Sequence, residues 1–317
     1  MNNDFNPGPA CYRNTLSALE RERINDGAYE IRRLVTRMIS MCNWGHIGGS
    51  YSLAEILAVL YGRAAKISPA LLDDPGRDYI ILSKAHASPA LYAALCTFNL
   101  LPEEALYGYG SVNGIDGHLS KGHPKGVECS GGSLGLGLSY CVGLSAALKL
   151  AQSYAQRVYC ICGDGELNEG QMWEAMQSAS QYRLDNLILI VDNNKVMAKS
   201  FTYEGMGVEP LYDKISAFGF HVQECDGHDV DSLWQAMYRA RYICCGKPNC
   251  IIADTVKGRG VERCEFNYRW HTHAPDVETA NSFLQELAQK WGKEYRPIVA
   301  AVKGKDPGLQ GVVGEGL

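Results

Sequence analysis

The stretch Val158–Gly170, VYCICGDGELNEG, runs an apolar, β-prone segment straight into Gly163-Asp164-Gly165 and then into helix-forming sequence. About thirty residues later the pattern recurs: LILIVDNNK, 187–195, is a second apolar strand that ends in polar Asp-Asn-Asn. Strands buried on both faces read as continuous apolar runs, and that points to a parallel sheet covered by helices. In such sheets ligands bind at the carboxyl ends of strands. Glycines on either side of Asp164 let the backbone approach a ligand closely. The helix that follows offers unpaired N–H groups to a phosphate. Asp164 alone would repel that phosphate, so a divalent cation between them is expected, because magnesium or calcium joins carboxylate to phosphate oxygens. Asn193 and Asn194 would add neutral oxygens without adding charge. Taken singly, Gly-Asp-Gly is an ordinary turn sequence; the second strand end makes it specific.

Working outward, strands and helices alternate. Strands are predicted at 79–83, 157–162, 186–192, 221–226 and 249–256, and helices at 16–42, 52–61, 90–100, 138–152, 170–182 and 230–245. Ser52 and Glu55 have the spacing of a capping box, after a glycine-rich break at 44–50. Residues 108–137 form a long glycine-rich connection, and long connections of this kind commonly carry function. The expected class is α/β: a doubly wound, mainly parallel sheet flanked by helices, as one domain over 16–300. A loose leader is expected over 1–15 and a flexible tail over 301–317.

The 317 residues carry a net charge of −5, which gives no basis for non-specific nucleic-acid binding. No apolar run reaches the length of a membrane helix, and the polar N-terminus does not read as a secretion signal. The twelve cysteines are therefore expected to be small core residues in a reducing cytoplasm. Cys160/Cys162 and Cys244/Cys245/Cys250 lack the paired spacing of zinc sites.

The two strand ends resemble the thiamine diphosphate motif, and the chain as a whole resembles transketolase in its N-terminal, diphosphate-binding (PP) portion. The matching segments are GHIGGSYSLAEILAVLY, ILSKAHASPALYAAL, GHLSKGHPKGVECSGGSLGLGL, GDGELNEGQMWEA, VDNNK, DGHD and WHTHAP. The resemblance is nearest to split transketolases, in which two chains share the enzyme. It implies that Asp164, Asn194 and the Val196 carbonyl hold Mg2+ or Ca2+. It places Gly163, Gly165, Glu166 and His86 at the diphosphate, Gly132 and Leu134 along the rest of the cofactor, and Glu169 at a subunit interface. His46, His118 and His271 would line the substrate channel as catalytic residues, with His271 also touching cofactor. An isolated histidine is more often structural, but imidazoles gathered in a cleft can shuttle protons and bind hydroxyls. His228 in DGHD reads equally as a structural turn, and His221 as a strand residue; His123 and His273 lie in loops like those of the channel histidines.

The resemblance implies transfer of a two-carbon ketol unit from a ketose phosphate to an aldose. It also implies an activating glutamate from a pyrimidine-binding domain, for which the residues after 230 leave no room. That glutamate is expected from a C-terminal partner subunit, in a heterotetramer. Ile47 stands where the family usually has proline, Leu136 where glutamine is common, and a glycine that often follows Asn194 is missing; these bear on loop shape and sugar choice. Another thiamine diphosphate enzyme subunit, of the 1-deoxyxylulose-phosphate synthase or 2-oxo acid dehydrogenase kind, shares the metal motif. A non-catalytic protein that keeps the half-site is the third alternative.

Overall fold

The computed structural model describes residues 13–243 and 246–298. Five parallel strands form one sheet in the order β1-β2-β3-β5-β4: β1 Tyr79–Leu82, β2 Val158–Gly163, β3 Leu187–Asn193, β4 His221–Asp226 and β5 Asn249–Asp254. The helices are α1 Ala18–Cys42, α2 Ile47–Tyr51, α3 Ala54–Val59, α4 Ser88–Thr97, α5 Leu136–Leu150, α6 Gly170–Gln181, α7 Thr202–Gly205, α8 Leu211–Ala217, α9 Val230–Tyr242 and α10 Val277–Trp291. The expected α/β architecture is the one observed. The expected leader and tail fall mainly outside the described residues.

Alternate residues along each strand bury into opposite layers. Tyr159, Ile161, Ile188, Ile190 and Ile251 pack against α1, α3, α4 and α9. Val158, Cys160, Cys162, Leu187, Leu189, Cys250 and Ile252 face α5, α6 and α8, where Cys141 joins them. All nine cysteines among the described residues are free thiols.

Three local expectations need correction. Ser17 and Glu20, at the start of α1, form the capping box. Ser52 and Glu55 do not, although their spacing is the same: Ser52 Oγ donates to Asp192 at 2.7 Å, and Glu55 is drawn to Arg32. Charged tertiary partners, a carboxylate for the hydroxyl and a guanidinium for Glu55, outcompete the local cap. The break predicted at 44–50 is already helical from Ile47. Helices α7, α8 and α10 are additional to the alternating pattern of predicted elements.

The buried pair Arg32–Glu55 anchors α1 to α3. The guanidinium donates to both carboxylate oxygens, at 2.6 and 2.7 Å, while His228 Nδ1 lies 2.8 Å from Glu55 Oε2. Burial alone would raise the Glu55 pKa, but Arg32 and His228 hold it down at about 2. His228 Nε2 accepts from the Val256 N–H at 2.8 Å, so both ring nitrogens serve the packing between layers.

Candidate active site

β2 and β3 are hydrogen-bonded neighbours, with Gly163 opposite Asp192. Their carboxyl ends therefore open side by side at the middle of the sheet. The Asp164 N–H donates to Asp192 O at 3.2 Å, and the Asp164 carboxylate accepts from the backbone N–H of Gly165 and of Lys195. Asp164 is 2% exposed. Burial, and then the nearby Asp192 charge, push its pKa up to about 6. A carboxylate so placed is short of positive charge.

Asp192 is fully buried and collects four donors: Lys84 Nζ, Ser52 Oγ, Thr255 Oγ1 and, at 2.9 Å, Asn194 Nδ2. Burial would raise its pKa, but the Lys84 ammonium and the hydroxyls keep it below the ordinary value. By holding the amide nitrogen of Asn194, Asp192 fixes the amide oxygen as the accepting end, which takes the Val196 N–H at 3.2 Å and keeps a second lone pair. Val196 O accepts from Lys257 Nζ at 2.8 Å, so this carbonyl points inward at the site. Burial, and then Lys84, lower the Lys257 pKa to about 7. One under-compensated carboxylate, one oriented amide oxygen and one inward-facing carbonyl fit a hard divalent ion.

Glu166 faces inward. It accepts from Ser83 Oγ, from the Gly135 N–H at 2.8 Å and from the Gly163 N–H at 3.1 Å. Its carboxylate thus braces the glycine loop against β2. Gly135 has φ +83°, and an added Cβ would lie 2.9 Å from Glu169 Cβ; both conditions require glycine there. Gly132 has open space where a side chain would begin, and Leu134 is half-buried beside it.

Above this floor four histidine rings converge. The centroid of His46 lies 5.3 Å from His86, 6.1 Å from His118 and 5.2 Å from His271, and His86 and His271 are 5.1 Å apart. Trp44 packs against His46 and His118. Burial, then the neighbouring positive groups, lower the His46 pKa to about 4 and the His271 pKa to about 3; His86 is lowered as well. His46 Nδ1 is buried with no hydrogen-bond partner among the described residues. His271 Nδ1 lies 2.8 Å from Lys257 Nζ. The other histidines lie elsewhere: His123 beside Asp116, His221 beside Asn249, and His273 edge-on to Trp270.

Lys84, Asp192 and Lys257 are the residues that reading the sequence missed. Lys84 lies two residues before His86 within a segment already singled out, and Asp192 directly precedes the two asparagines. Their proximity to the strand ends was the available signal.

Residues 24–299 match the family described as transketolase, thiamine diphosphate binding domain. The chain belongs to the transketolase family, through that domain. Among similar proteins, the 6-deoxy-6-sulfo-D-fructose transketolase subunit SqwG of a Clostridium species is 38% identical, over 82% of this chain and 94% of that protein. An apulose-4-phosphate transketolase subunit of Actinobacillus succinogenes is also 38% identical, over 81% and 92%. The transketolase of Leishmania mexicana has a similar structure, with TM-score 0.79 and 28% identity over 88% of this chain and 43% of that one. The Campylobacter jejuni enzyme has TM-score 0.76 and 29% identity, over 88% and 44%. The chain thus spans less than half the length of these solved transketolases. No helix among the described residues is long and apolar enough to cross a membrane.

Proposed function

We propose that this chain is the diphosphate-binding subunit of a two-chain transketolase, moving a two-carbon ketol unit from a ketose phosphate to an aldose in the cytoplasm. The observation that carries the reading is the meeting of two adjacent strand ends, with Asp164, Asn194 and Val196 O, beneath four histidines. Relatives named as transketolase subunits, spanned over more than nine-tenths of their length, support a two-chain enzyme. The proposed assembly is a heterotetramer with a C-terminal subunit that supplies the activating glutamate, with Glu169 at an interface.

Asp164, Asn194 and Val196 O would hold Mg2+ or Ca2+. The Gly163–Gly165 turn would receive the diphosphate, and Gly132, Leu134, His86 and His271 would line the cofactor. When bound, thiamine diphosphate supplies the electron sink that makes cleavage beside a ketose carbonyl feasible. This chain's residues do the rest. His46 and His271 are neutral at pH 7, so each offers a lone pair to a sugar hydroxyl. His118, beside them, gives the rim a further donor or acceptor. Trp44, packed against His46 and His118, forms one wall. Lys257 holds Val196 O and faces His271; burial first, and then Lys257, keep that ring from protonation.

The test is purification of the chain alone and with a C-terminal transketolase chain, followed by assay with several ketose phosphate donors, thiamine diphosphate and Mg2+. Turnover only in the mixture is expected. Full turnover by the isolated chain would overturn the two-chain reading.

A further inference from the structure

Five rings meet at the cleft, and they divide into an inner and an outer group. His46, His86 and His271 form a triangle with centroids 5.1 to 5.3 Å apart above the strand ends. Trp44 and His118 join it through His46: they lie 5.7 and 6.1 Å from that ring and 5.6 Å from one another. Trp44 is the one exposed ring of the five, at 40%, against 9% for His46, so it marks the open end of the group. A single exposed aromatic needs no explanation by itself, but this one is built into place. One face of the indole stacks on Tyr109, with centroids 5.9 Å apart and planes at 26°. Tyr109 is itself buried and donates to Gly117 O at 3.2 Å. An added Cβ on Gly117 would overlap Trp44 Cζ3, so the glycine before His118 is what admits the indole. The exposed part of the ring is therefore fixed before any ligand arrives, and a fixed apolar surface binds with little loss of freedom.

We infer that Trp44 is a specificity-determining residue, whose indole packs against the C–H side of the acceptor sugar beyond the carbon that reacts and so selects acceptors long enough to reach it, an inference that rests on the two-chain transketolase reading above. That reading puts the reacting carbons at the inner triangle, over the floor. A sugar chain that starts there and runs toward solvent passes the outer pair. His118 can bond one of its hydroxyls, and the indole offers an apolar face that covers C–H groups. Lys84 and Lys257 are buried and tied to Asp192 and Val196 O, so Trp44 meets the uncharged carbons of the sugar rather than its phosphate. A two-carbon aldehyde reacts at its first carbon and has one more to extend; a five-carbon aldose has four.

The experiment uses the two-chain enzyme: the full chain with a C-terminal transketolase chain, thiamine diphosphate and Mg2+. The ketose phosphate donor on which wild type is fastest is held saturating. Then kcat and KM are measured for aldoses of increasing length, from glycolaldehyde to ribose 5-phosphate, in wild type, Trp44→Ala and Trp44→Phe. Melting temperature and thiamine diphosphate affinity are measured on each variant. Trp44→Ala is expected to lose at least about tenfold more in kcat/KM with ribose 5-phosphate than with glycolaldehyde. The excess should reside in KM, and Trp44→Phe should recover most of it. Equal losses with the two acceptors, or none, overturn the inference and leave the two-chain reading standing; equal losses mean that the indole supports the segment carrying His118. A greater loss with glycolaldehyde, or a wild type that accepts glycolaldehyde alone, overturns it as well. Absence of wild-type turnover with every acceptor overturns it together with the two-chain reading. If Trp44→Ala does not fold, Trp44→Leu, which keeps an apolar contact for Tyr109, decides between the same outcomes.

Discussion

Asp192 accepts a hydrogen bond from Asn194 Nδ2 at 2.9 Å while it also holds the Lys84 ammonium. One buried carboxylate thereby neutralises a buried cation and sets the orientation of a proposed metal ligand. Asp192→Asn keeps the shape and removes the charge. It is expected to cost about 3 kcal/mol of unfolding free energy, because Lys84 is left buried without its counter-charge. It should also weaken Mg2+-dependent binding of thiamine diphosphate. Urea unfolding and cofactor titration by fluorescence check the two effects separately.

Asp164→Asn makes the opposite separation. Burial and the Asp192 charge raise the Asp164 pKa to about 6, so its charged form is disfavoured in the fold, and its neutral replacement should leave the apo chain at least as stable at pH 7. The rise in melting temperature on adding Mg2+ and thiamine diphosphate, expected for wild type by mass action, should vanish in the variant. EDTA should abolish the same rise in wild type. Thermal melts with and without the additions test both statements.

Acid should weaken the fold in two stages. The folded pKa of His46, about 4, lies below the usual histidine value of 6.5, so the unfolded chain binds more protons between them. The neutral-state stability contributed at this site is complete above about 6.5 and is lost as pH falls through 4. Glu55, held at about 2 against an ordinary 4.5, contributes stability above 4.5 that is lost as pH falls through 2. Chemical denaturation from pH 8 to 3 should show stability dropping first below about 6.5 and more steeply below 4.5. A curve flat to pH 4 would contradict the buried, neutral state of His46.

Glu55→Ala should cost about 3–5 kcal/mol, since it strands Arg32 inside the protein. Its effect on cofactor affinity should be small by comparison, because Glu55 joins α1 and α3 and touches His228 rather than the strand ends. Denaturation curves set against cofactor titration distinguish this from the Asp192 result.

For the proposed channel residues, His46→Ala in the two-chain enzyme should lower kcat/KM by about 10²–10⁴, with the melting temperature nearly unchanged. Steady-state assays with the C-terminal chain in excess provide the measurement.

The central strands were readable because β2, β3 and β5 are covered on both faces and so are apolar without interruption. The two polar strand ends stood out against those runs. The Ser52–Glu55 spacing misled because a local pattern cannot show that Arg32, on another helix, lies within reach of the carboxylate. Lys84 and Asp192 were missed for the same reason: they lie 108 positions apart in sequence, and a buried ion pair has no local signature. Helix α10 did carry one, with Asp276 as its cap and Phe283, Leu284 and Leu287 on one side, but it stands outside the alternation of strand and helix.

The pairing of Gly163 with Asp192 has a consequence for substitution. The floor is fixed by ladder hydrogen bonds at the centre of the sheet, whereas each of the four rings above it stands on a separate connecting segment: His46 before α2, His86 after β1, His118 in the glycine-rich connection and His271 after β5. A change in one of those segments can therefore reshape the rim while the hydrogen-bonded floor keeps its geometry.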